Sequence, residues 1–69
     1  SYDKDSEIVW DELRLLLNRF KNDELDEQAV VVSMLMHAIM VTYEMSISNE
    51  HASKLIDKIK KTVDPEVRH

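Results

Sequence analysis

Apolar residues recur with a helical period in three stretches of this 69-residue chain. Over residues 5–21, Val9, Trp10, Leu13, Leu16, Leu17 and Phe20 fall on one side at i, i+4, i+7 and i+11 spacing, which predicts an amphipathic helix. Ile8 and Leu15 lie off that stripe and call for solvent or a second cover. Asp5 or Ser6 is placed to cap the start, and Glu7, Asp11 and Glu12 suit the positive helix end. Residues 1–4 are polar and read as a frayed end.

Lys21-Asn22-Asp23-Glu24 reads as a connection, and a second helix is expected over residues 26–45. Asp26 is the expected N-cap, with Asp23 as a competing start. Leu25 before the cap and Val30 after it are spaced as a hydrophobic staple. Between residues 29 and 41 only Ser33 and His37 are polar. On a helical wheel Asp26, Ser33, His37 and Glu44 share a strip roughly 40° wide, and nearly all the remaining circumference is apolar. A helix of that kind needs cover on most sides. The β-branched run Val30-Val31-Val32 could open a strand, but the length of the apolar stretch and the lack of a partner strand favour helix.

After Ser46-Ile47-Ser48-Asn49, a third helix is expected over residues 48–63. Ser48 is its expected N-cap, and Ile47 with Ala52 has staple spacing. Ala52, Leu55, Ile56, Ile59 and Val63 form a narrow stripe. Lys58, Lys60 and Lys61 suit the negative helix end, and Asp64-Pro65 stops the helix, leaving residues 64–69 as a tail. The pattern therefore predicts an all-α, three-helix domain covering residues 1–69, with a highly apolar central helix.

Composition sharpens this picture. The chain has no glycine and one proline, which argues against hairpins, phosphate-cradling loops and dinucleotide fingerprints together. With no cysteine, disulfides and thiolate zinc sites are excluded as stabilising devices. A domain this small buries too little surface to be comfortable alone, so oligomerisation is the device left. The expected assembly is a helical-bundle homodimer or higher oligomer, held by Val31, Met34, Leu35, Ala38, Val41 and Met45, with Trp10 and Leu15 flanking. The net charge of −5 weighs against nucleic acid and anionic membrane surfaces as partners. The run over residues 29–41 reads as too short to span a bilayer, and no signal-peptide pattern opens the chain. A soluble, cytoplasmic protein is expected.

Candidate chemistry changes little. Ser33, His37 and Glu44 share one strip, but a nucleophile needs a rigid turn beside an oxyanion hole, whereas a helix spends its backbone N–H groups on itself. No Glu-x-x-His spacing occurs, so the usual bundle metal site is absent from the sequence, and His69 lies in the tail. The expectation is no enzyme, no metal and no cofactor. His37 is a candidate pH-sensitive interface residue, against the plainer reading of a solvated histidine. Met34, Met36, Met40 and Met45 offer an adaptable surface, though methionines on an apolar helix more often fill a core.

Charge is unevenly spread: residues 1–28 carry nine acids and four bases, and residues 48–69 carry four acids and five bases. Asp11, Glu12, Asp23, Glu24 and Glu27 are a candidate face for a second protein, either a basic partner or one that the chain inhibits as a DNA mimic. The plainer reading is solvated helix starts. Lys54, Lys58, Lys60, Lys61 and Arg68 raise a helix-turn-helix alternative, opposed by Glu50 and the overall acidity. Residues 20–56, with the acidic lead-in, Ala29-Val30 and Ile47-Ser48-Asn49 before a Leu-containing helix, resemble small enterobacterial regulators of biofilm and acid response. That resemblance implies a helical dimer and carries no residue roles. The function expected is a non-enzymatic protein–protein interaction module, regulatory or adaptor-like, acting as a homo-oligomer.

Overall fold

The structure, a computed structural model, describes residues 1–66. Three helices follow one another: α1 (Tyr2–Asn22), α2 (Glu27–Met45) and α3 (Asn49–Val63). There is no strand among the described residues, so Val30-Val31-Val32 is helical. The chain divides into two compact units. The first holds α1 and the opening turn of α2, and the second begins at Val32 and holds the rest of α2 with α3.

In the first unit, α1 starts three residues earlier than the pattern suggested. Its N-cap is Ser1, not Asp5 or Ser6, and the Asp5 N–H donates to the Ser1 carbonyl at 2.9 Å. Residues 2–4 contain no breaker, and Asp3 and Asp5 lie in the first turn where the helix dipole favours acids. The reading of residues 1–4 as frayed is thereby corrected: polarity alone does not end a helix.

The end of α1 is a Schellman turn built without glycine. Leu25 N–H bonds the Phe20 carbonyl at 3.4 Å and Glu24 N–H bonds the Lys21 carbonyl at 3.2 Å. Glu24 takes the left-handed position, with φ of 55°. A side chain there costs about 1 kcal/mol that glycine would not pay. Phe20 and Leu25, the pair that accompanies such a turn, line one groove with Leu17, Val30 and Val31. Asp26 then caps α2, its Oδ1 accepting from Ala29 N–H at 2.9 Å, as its position predicted.

The second unit is a helical hairpin. Residues 46–48 connect α2 to α3, a length that makes the two helices antiparallel neighbours. Ser48 caps α3, accepting from His51 N–H at 3.0 Å. The proposed staple beside it does not form: Ile47 is 90% exposed and covers nothing. Ala52 is nevertheless fully buried, because a methyl side chain lets the two helices approach closely at the start of α3. Asp64 ends α3 in an extended conformation before Pro65, and its Oδ1 accepts from Glu66 N–H at 2.9 Å. Arg68 and His69 lie outside the described residues.

Candidate functional site: exposed apolar faces on three helices

Ala52 is the only buried residue among those described. Leu16, Phe20, Val30, Met34, Ile39, Thr42 and Ile56 are half-buried. Twenty large apolar side chains among the described residues remain exposed. This inverts the usual order of a folded domain, in which single exposed apolar residues are normal and contiguous faces of them mark contact surfaces.

In the second unit, a groove of about 510 Å³ runs between α2 and α3. Leu35, Ala38, Ile39 and Thr42 form one wall, and Leu55, Ile56, Ile59 and Val63 form the other, with Lys60 at the margin. The spacing of four between Leu35, Ile39 and the next turn puts these α2 residues on the side roughly opposite the polar strip. Thr42 hides its hydroxyl within this apolar setting by donating to the Ala38 carbonyl at 2.7 Å, and Ser46 does the same to Thr42 at 2.6 Å.

In the first unit, Tyr2, Val9, Trp10 and Leu13 line a shallow apolar surface along one side of α1. Trp10 is 66% exposed. Farther along the same stripe, Leu17 and Phe20 meet the opening turn of α2. Leu15 and Ile8, off the stripe, are both exposed.

The residues expected to drive self-association are thus distributed. Leu35 and Ala38 share the α2–α3 groove, while Val31 belongs to the groove at the α1–α2 turn. Met34 is half-buried, and Val41 and Met45 stand exposed on α2. What periodicity did not reveal is the groove itself. Leu55, Ile59 and Val63 were legible as a stripe, but their pairing with Leu35 and Ile39 depends on the hairpin.

His37 is exposed, and its Nδ1 donates to the Ser33 carbonyl at 2.7 Å, a bond within its own helix. Ser33 and His37 therefore do not meet as nucleophile and base. Among the described residues no group of three or more His, Asp or Glu side chains is placed to hold a metal. Lys54 pairs with Glu50 at 3.2 Å, so one base of the last helix is engaged by the acid beside it. Asp11, Glu12, Asp23, Glu24 and Glu27 are all exposed.

The apolar run over residues 29–41 is part of a longer helix. The helix that contains it is 19 residues long and, by length and composition, sufficient to cross a membrane. The polar ends Glu27-Gln28 and Thr42 to Glu44 are counted in that length, and none of the apolar stretch is buried within the molecule. No family model, curated protein or solved structure matches this chain.

Proposed function

We propose that the chain is a non-enzymatic protein–protein interaction module, regulatory or adaptor-like, that works as a homo-oligomer and in the simplest case as a dimer. The observation that carries this reading is the one buried residue, Ala52, set against twenty exposed large apolar side chains among the described residues. A chain with that surface needs a partner to pay the entropy of folding.

The areas agree. The accessible surface is 6678 Å² for 8.1 kDa, against roughly 4,500 Å² for a folded monomer of that mass. The excess, roughly 2,200 Å² per chain, would give a two-chain burial within the range of obligate homodimers. Val31, Met34, Leu35, Ala38, Val41 and Met45 on α2 carry the contact in this reading, with Trp10 and Leu15 contributing from α1. The acidic residues Asp11, Asp23, Glu24 and Glu27 stay outside and face solvent or a second protein, with Glu12 at the edge of the contact.

Membrane insertion of α2 explains less. One span covers α2 alone and leaves Trp10, Leu13, Leu55 and Ile59, which are also exposed, without cover. It would also place Ser33 and His37 at bilayer depth, where polar side chains are costly. A DNA-binding reading gains no support from the Glu50–Lys54 pair at the start of α3.

Light scattering over a range of concentrations tests the proposal. A dimer or larger assembly that persists on dilution is the expected result. A well-folded monomer at all concentrations would overturn it.

A further inference from the structure

We propose that the groove between α2 and α3 receives α1 of a second copy, running antiparallel to α3, and that two copies exchange their first helices in this way about a two-fold axis. This deepens the self-association reading and rests on it. The groove is open, apolar and bounded by two helices, which is the form that accepts an amphipathic helix through side chains at i, i+3, i+4 and i+7. The face available to fill it is Tyr2, Val9, Trp10 and Leu13, which stand on one side of α1 and are all exposed. Trp10 is the large anchor such a contact needs.

Charge selects the direction of the helix. The first half of α1 is acidic, with Asp5 and Glu12 along one margin of the apolar face and Asp3 and Glu7 along the other. Its second half is basic, with Arg14, Arg19 and Lys21. Along α3 the free bases lie near the end, where Lys58 and Lys60 flank the stripe, while Glu50 at the start stands on the far side of the helix and pairs with Lys54. Antiparallel placement brings the acidic first half of α1 beside Lys58 and Lys60.

Parallel placement would instead set Arg14, Arg19 and Lys21 beside Lys58 and Lys60. Between two copies the exchange is reciprocal, as two-fold symmetry requires.

Two charge-reversed chains provide the test: one carrying Asp5→Lys and Glu12→Lys, the other Lys58→Glu and Lys60→Glu, each checked for helix content by circular dichroism. Sedimentation equilibrium of either chain alone is expected to show dimerisation weakened by about tenfold or more. An equimolar mixture of the two is expected to regain dimers at the wild-type concentration, because in the mixed pair every first helix meets a groove of opposite charge. Rescue by combining all four changes in one chain, without rescue on mixing, would assign the groove to the chain's own α1 and overturn the proposal. Two reversed chains that each dimerise like wild type would also overturn it while leaving self-association standing. A wild-type chain that is a folded monomer would remove both readings.

Discussion

The two inter-helix connections solve the same problem by different means, and the difference shows where this molecule holds its structure. At the first, the chain leaves α1 through a Schellman turn with Glu24 in the left-handed position and enters α2 through the Asp26 cap. At the second, it leaves α2 through Thr42 and Ser46, whose hydroxyls bond back to the helix, and enters α3 through the Ser48 cap. Both connections start the next helix with a side-chain acceptor on one of its first N–H groups. Only the second lies beside a buried residue, Ala52. Good capping therefore fixes where helices begin and end without supplying a core, and the small side chain at position 52 decides where two of them close together.

That comparison can be broken or sharpened by substitution. The largest effect is expected from Leu35→Asp, which puts a charge into the α2–α3 groove at a cost of several kcal/mol. The product should be monomeric or unfolded by light scattering and circular dichroism, and a folded, unchanged assembly would count heavily against the self-association reading. Next comes Ala52→Leu, which overpacks the closest approach of α2 and α3 and should cost about 1–3 kcal/mol in urea unfolding. The matching change at exposed Ala29, Ala29→Leu, should stay within about 0.5 kcal/mol. Equal effects at the two positions would erase the contrast between the connections.

Cap removal should be smaller and more even. Ser48→Ala and Asp26→Ala are each expected to cost about 1 kcal/mol, since each deletes one acceptor of a helix-start N–H. Glu24→Gly should act in the opposite direction, raising stability by about 0.5–1 kcal/mol by relieving the left-handed residue. Destabilisation by Glu24→Gly would mean that the Glu24 side chain makes a contact worth more than that relief. The smallest effect is expected at His37, where His37→Gln should leave assembly mass unchanged from mildly acidic to neutral pH, as suits an exposed ring bonded to its own helix. A shift of the wild-type assembly over that interval, lost in the variant, would instead identify His37 as a pH-sensitive interface residue.

The sequence by itself determined the helices and two of their caps. Periodicity located all three, and the capping chemistry of Asp26 and Ser48 fixed starts that the structure reproduces, because these are local interactions among residues three or four apart. The early start of α1 at Tyr2, with Ser1 as its N-cap, leaves no trace in the pattern because so short a polar stretch carries no period to read. The staple at Ile47 failed for a different reason: spacing permits a contact, while the path of the connection decides whether it occurs. The apolar excess of α2 was legible too, as a demand for cover without an address. Only the tertiary structure decided that Leu35 and Ile39 stand across a groove from Leu55 and Val63, and that Ala52 alone among the described residues is sealed. Those facts depend on residues far apart in sequence meeting across a hairpin, and helical periodicity specifies which face of a helix is apolar but not what lies against it.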